Sequence, residues 1–106
     1  MSTDTEMKAL HIVINAGFTD DVMDIIRESG ASGGTIVHAR GEGSHHRSFM
    51  GITIDYEQEI VICIAKKDTA QKIMDGVRER MGWKSEAHGV AYMLPVDKVV
   101  GLRHQV

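Results

Sequence analysis

A second cysteine, a basic surplus and a long apolar run are all missing from this sequence of 106 residues, and each absence excludes something. Cys63 stands alone, so no disulfide can form within the chain. Its place inside Ile60-Val61-Ile62-Cys63-Ile64 makes it a small buried hydrophobe and not a reactive thiol. Acidic residues outnumber basic ones 15 to 12, for a formal charge of −3. Nucleic-acid binding calls for the opposite balance or a basic patch, so that class is set aside. No stretch approaches the roughly 20 apolar residues that cross a bilayer, so no membrane insertion is expected. The opening MSTDTEMKAL lacks a basic segment followed by a long apolar one, so no secretory signal is read and a cytoplasmic location is expected. Catalysis finds little footing either. No Ser, Cys or Lys stands in a recognisable setting with a base, and Asp20-Asp21 suits a helix start better than an acid–base pair. The chain is therefore expected not to be an enzyme and to need no cofactor.

What is present describes one soluble domain over residues 1–106, with 42% apolar and 25% charged residues. A chain of this size buries roughly two-thirds of its extended surface, enough for one modest core, and self-association commonly adds stability. Residues 1–6 read as a disordered polar lead-in. The aliphatic run at 8–15 predicts a strand. Thr19-Asp20-Asp21 predicts a helix start, with Thr19 as cap, Val22, Ile25 and Ile26 as the apolar stripe, and Gly30 as a left-handed stop. A second strand follows at 34–40, then a loop at 41–50, GEGSHHRSFM, which has no apolar period. Residues 51–65 hold a third strand. Its clearest part, 59–65, is apolar on both faces, which predicts a central strand buried on both sides. Asp68 and Gln71 stand at capping-box spacing before a helix whose stripe is Ala70, Ile73, Met74, Val77 and Met81, ended by Gly82. Residues 90–94 form a fourth strand, Pro95 breaks it, and 96–103 add a turn and an edge strand. The order β-α-β-β-α-β is that of the α+β ferredoxin-like fold, an antiparallel sheet with two helices on one face. That topology carries many unrelated activities and assigns none.

Three stretches resemble the P-II nitrogen regulatory family. Gly30-Ala31-Ser32-Gly33-Gly34-Thr35 resembles the family's Gly-Met-Thr approach to its second strand. Arg40-Gly41-Glu42-Gly43 resembles the Gly-Phe-Gly at the base of its T-loop. Ala87-His88-Gly89-Val90-Ala91-Tyr92-Met93-Leu94-Pro95-Val96-Asp97-Lys98-Val99-Val100-Gly101-Leu102-Arg103 resembles its C-terminal signature. The resemblance implies a homotrimer with adenine nucleotides, ATP, ADP or AMP, in clefts between subunits, and a T-loop that regulates a transporter or enzyme. It puts Gly33, Gly34 and Thr35 near the adenine and ribose, and Gly41, Gly43, Ser44 and His45 at the T-loop base near the phosphates. Gly89 and Arg103 complete that ligand site. His46, Arg47, Phe49 and Met50 are left to meet a partner.

The departures are as informative. Val90 stands where the family has a phosphate-binding lysine, Gly101 where it has the first arginine of Arg-Ile-Arg, Ala87 where it has a glycine, and His45 where it has a glutamine. Each lost charge-assisted hydrogen bond is worth roughly 1.5–3 kcal/mol, so two losses weaken polyphosphate binding by about a hundredfold or more. Arg103, Arg47, Lys66 and Lys67 are the candidates to compensate. The loop is shorter than in the nitrogen regulators and carries no tyrosine to modify, since Tyr56 and Tyr92 lie in or beside strands. An altered ligand preference is expected.

Other features keep two readings. His45, His46 and His38 can be two solvated loop histidines and one packed strand histidine. Alternatively, copies meeting at a three-fold axis can converge them on a metal, as in a trimeric CutA-like protein. Phe49-Met50 can dock into a partner or fold back on the sheet. Met23, Met74 and Met81 fit helix stripes, and Trp83 reads as a packing anchor.

Overall fold

A computed structural model describes residues 6–41, 47–49, 52–54 and 56–102, with backbone only at 47–49, 52–54 and 56. The chain runs β1 (Met7–Asn15), α1 (Thr19–Glu28), β2 (Thr35–Gly41), β3 (Arg47–Phe49), β4 (Ile52–Ile54), β5 (Tyr56–Lys66), α2 (Lys67–Met81) and β6 (Val90–Pro95). The main sheet has four antiparallel strands in the order β2-β5-β1-β6, so β5 is a central strand, as its apolar run predicts. The ferredoxin-like arrangement expected from the sequence is present.

Strand alternation sends one set of side chains to the helices. Leu10, Ile12 and Ile14 of β1 and Val61, Cys63 and Ala65 of β5 are buried there, with Leu10 opposite Cys63 and Ile12 opposite Val61. Above them lie Val22, Ile25 and Ile26 of α1 and Ala70, Ile73, Val77 and Met81 of α2, the predicted stripes. Met23 and Met74 pack at the margin of this core. Burial raises the Cys63 thiol above its ordinary pKa, which keeps it protonated and unreactive.

The opposite face is another matter. Ile60, Ile62 and Ile64 point away from the helices and are only half-buried, so β5 is covered on one side and not on both as expected. Both helices take the same face, and nothing in the described chain lies over the other. Around these isoleucines run the rows Thr35–Ile62–His11–Tyr92 and Val37–Ile60–Val13–Val90, with Ile64, Ala9 and Leu94 beside them. Val37, Val90, Tyr92 and Leu94 of this face are 40–48% exposed. Its polar centre is one pair, His11 Nδ1 and the Tyr92 hydroxyl, 3.1 Å apart.

Element ends correct several expectations. Phe18, not Thr19, is the N-cap of α1, and no side chain caps it; the Val22 amide donates to the Phe18 carbonyl instead. Lys66 is the N-cap of α2, again without a side-chain cap, because Gln71 reaches forward to Asp75 at 3.0 Å and not back to Asp68. Gly30 does end α1 as predicted. Its φ is +104°, the Ala31 amide donates to Ile26 and the Gly30 amide to Arg27, the paired bonds of a Schellman stop. Residues 47–49, expected as loop, pair with 52–54 in a short hairpin, so the expected third strand divides into β4 and β5. Backbone pairing decides this, and it leaves no apolar period to read. No strand forms at 96–102; after Pro95 one further bond, from the Val96 amide to the Met7 carbonyl, closes the sheet edge. Glu6, assigned to the lead-in, is engaged. Its carbonyl accepts the Lys67 amide, and its carboxylate, 3.0 Å from Lys8 Nζ, is held below the usual range first by that hydrogen bond and then by Lys67. Residues 1–5 lie outside the described residues.

Two outcomes test this packing. Leu10→Ala should cost about 3 kcal/mol in denaturant unfolding, since it opens a cavity under both helices. Cys63 should react with a thiol reagent only at the rate of unfolding; prompt labelling of folded protein would contradict its burial.

Candidate functional site

The predicted site residues divide between the two edges of the sheet. Gly33 and Gly34 lead into β2, Thr35 opens it and Gly41 closes it, and β2 is one edge. Gly89 immediately precedes β6, the other edge. Thr35 and Tyr92 share a row but stand three strand spacings apart, about 14 Å. One chain therefore does not bring the β2 glycines and Gly89 together. Gly43, Ser44, His45, His46, Met50 and Arg103 lie outside the described residues. Arg47 and Phe49 are the ends of β3, known by backbone alone. Lys66 and Lys67 sit at the far end of β5 from Gly41, with Lys67 Nζ 4.0 Å from Glu6, so neither compensates at the T-loop end of its own chain.

The glycines differ in what demands them. A Cβ on Gly34 would lie 2.9 Å from the Ile62 carbonyl oxygen, a backbone atom that cannot step aside. On Gly89 it would strike the Met81 carbonyl, to which the Gly89 amide also donates at 2.7 Å. That amide is thus engaged inside the chain and is not free to hold an anion. On Gly41 it would meet the end of the Gln58 side chain. Gly33 has open space around it and no positive φ, so nothing within the chain requires glycine there.

The loop from Gly82 to Gly89 is closely built. The Ser85 amide and hydroxyl both reach the Gly82 carbonyl, and the His88 amide donates to the Ser85 carbonyl. From β1, the Asn15 amide donates to the Ala87 carbonyl and its side chain to the Glu86 carbonyl. Trp83 is not the packing anchor expected: it is 71% exposed, because Gly82 leaves the helix and turns the indole outward. His88 adopts φ 47° and places Nδ1 2.7 Å from the Trp83 carbonyl oxygen. The sequence signal for this display was a tryptophan between Gly82 and Lys84, off the helix stripe.

His38 on β2 is exposed, with Nδ1 3.5 Å from Glu59 Oε2, while Glu59 Oε1 accepts the Gly17 amide at 3.2 Å. Glu59 is a partner that periodicity did not disclose. Among the described residues no three His, Cys, Asp or Glu side chains assemble to hold a metal. A cavity of about 280 Å³ lies between the start of α1, the end of α2 and residues 85–87, lined by Phe18, Asp21, Arg80, Met81, Ser85, Glu86 and Ala87. It contains none of the predicted residues, as expected of a site whose halves lie on opposite edges. Among the described residues no helix is long and apolar enough to cross a membrane.

The family model described as nitrogen regulatory protein P-II matches residues 7–106. No curated protein matches the chain in sequence. Among solved structures, B. subtilis GlnK superposes with a TM-score of 0.70 at 13% identity, over 95% of this chain and 94% of that one. A PII-like signaling protein from Thermus thermophilus gives 0.68 at 24% identity over 87% of each chain. CPII from Thiomonas intermedia, solved with ADP and bicarbonate, gives 0.66 at 19% identity over 86% of each. At these identities the likeness is one of fold.

The glycine analysis gives a paired test. Gly89→Ala should lower stability by about 1–3 kcal/mol in thermal or denaturant melts, because the Met81 carbonyl has to move. Gly33→Ala should leave the melt within about 0.5 kcal/mol of the parent.

Proposed function

The chain belongs to the P-II family of nitrogen regulatory proteins, and on that premise we propose that it is a homotrimeric, cytoplasmic signalling module that binds an adenine nucleotide between subunits. It is a regulator and not an enzyme. The observation that carries this reading is the split of the predicted site between the β2 and β6 edges, with an uncovered apolar face between them. Covering that face with further copies removes it from water and sets one copy's β6 edge beside another's β2 edge. Gly89 of one protomer then approaches Gly33, Gly34 and Thr35 of the next. Gly33 supports the same reading, since nothing within its own chain requires glycine there and the position is left open to a ligand.

The likeness to CPII, which was solved with ADP and bicarbonate, supports the nucleotide class. Of the contacts inferred from the family, Gly33, Gly34 and Thr35 take the base and ribose, and Gly41, Gly43, Ser44, His45 and Arg103 take the phosphates. Residues 41–50 respond to what is bound, and His46, Arg47, Phe49 and Met50 meet a transporter or enzyme. The switch works only to the extent that the ligand favours one arrangement of that segment.

Sedimentation should give about three times the chain mass. In thermal melts at least one of ATP, ADP and AMP should stabilise the protein by about 2–3 kcal/mol when present at about a hundred times its dissociation constant. A monomer in solution, or no shift with any of the three at millimolar concentration, would defeat the proposal.

A further inference from the structure

The open sheet face is apolar around one polar pair, and that pair is left incomplete by its own chain. His11 stands opposite Ile62 of β5, between Ala9 and Val13 of β1, and Tyr92 stands beside it on β6 between Val90 and Leu94. The other polar residues in register with this face lie at its margins: Thr35 begins β2, Asn15 ends β1 opposite Gln58, and Lys66 ends β5. We propose that the His11–Tyr92 pair fixes the register in which copies of this chain cover one another's open face, and so selects the trimer among the assemblies an apolar face allows. This rests on the homotrimer reading and names the residues that specify the partner. The copy is the occupant because the β2 and β6 edges that bound this face carry the two halves of the predicted site. A copy that completes the site lies over the face as well.

The argument is one of donors and acceptors. His11 Nδ1 and the Tyr92 hydroxyl are 3.1 Å apart, and their rings meet edge to face at 5.1 Å and 69°. A neutral imidazole carries one N–H and a phenol one O–H, so the pair holds two donors and its shared bond uses one. If the hydroxyl donates to Nδ1, the Nε2–H is left over; if Nδ1 donates, the O–H is left over. Either way one donor remains in the middle of the face. Neither side chain makes a further hydrogen bond to the described residues. Thr35 of the same chain is two strand spacings from His11, about 10 Å, and out of reach.

In the separate chain water accepts from this donor, since Tyr92 is 45% exposed. Under a covering copy the acceptor has to come from that copy. Aliphatic surface is withdrawn from water equally well in many alignments, because its burial has no direction. A hydrogen bond has direction, and an alignment that leaves the donor unpaired is penalised. A lone polar group within an apolar contact is known to act in this way, setting register and copy number at some expense of affinity.

The test is native mass spectrometry and sedimentation velocity on the full chain, on Tyr92→Phe and on the double variant His11→Leu/Tyr92→Phe, with thermal melts alongside. The parent should give one species of three chains. The double variant should stay folded and associated, with no loss in the melt, yet its ratio of trimer to other assemblies should fall about tenfold. Tyr92→Phe removes a single oxygen and keeps the fold if the double variant does not; it should show the same redistribution to a smaller degree. Variants that remain wholly trimeric overturn the assignment. So do variants that separate into monomers, since the pair then supplies affinity and not register. Both outcomes leave the trimer reading intact. A parent that is not a trimer overturns both.

Discussion

Everything in the described chain follows from a sheet that is covered on one side only. Four strands make two faces, and the two helices are both needed to bury the first. Leu10, Ile12, Ile14, Val61 and Cys63 are withdrawn from water there. The second face is built from the same kind of residue, Ile60, Ile62, Ile64, Val13 and Val37, but the described chain has nothing left to lay over it. Apolar surface of this kind is stabilised by removal from water, at about 25 cal/mol per Å². More copies of the same chain would satisfy that demand, which is the basis of the proposed site between subunits.

The glycine-rich segments were the most suggestive part of the sequence, and the structure separates their uses. Gly34 and Gly89 are needed inside the chain, where a backbone carbonyl fills the space a side chain would take. Gly30 is needed for its positive φ at the end of α1. Among the described residues, Gly33 and Gly41 of the predicted nucleotide contacts have neither reason, since a Cβ on Gly41 would meet only the end of the Gln58 side chain. A glycine-rich loop is thus a mixture of folding requirements and binding surface, distinguishable only through the neighbours of each residue.

One departure from the family, Ala87, lies in the 82–89 loop, and another, Val90, opens the strand that follows it. Loss of a lysine at Val90 removes a fixed charge. The same loop holds an exposed indole, a left-handed histidine and a carbonyl that orients the ring. The loop is secured by backbone bonds to α2 and β1, independent of which side chains it displays.

The sequence by itself determined the elements and their order. Helix stripes at Val22, Ile25, Ile26 and at Ala70, Ile73, Val77, Met81, and the aliphatic strands at β1 and β5, repeat with the periods that burial imposes, so they are legible without coordinates. The family resemblance was legible in the order of three short segments, none of them strong alone. Only tertiary structure decided the rest. Caps depend on which backbone group a side chain reaches, and Thr19, Asp68 and Gln71 reached elsewhere or not at all. The β3–β4 hairpin depends on pairing, which leaves no periodic trace in so short a segment. Whether Ile62 faces a helix or a vacancy, whether the Gly89 amide is free, and whether Trp83 is core or display are all matters of what lies across from each residue. Neighbours distant in sequence settle those questions, and a linear pattern carries no record of them.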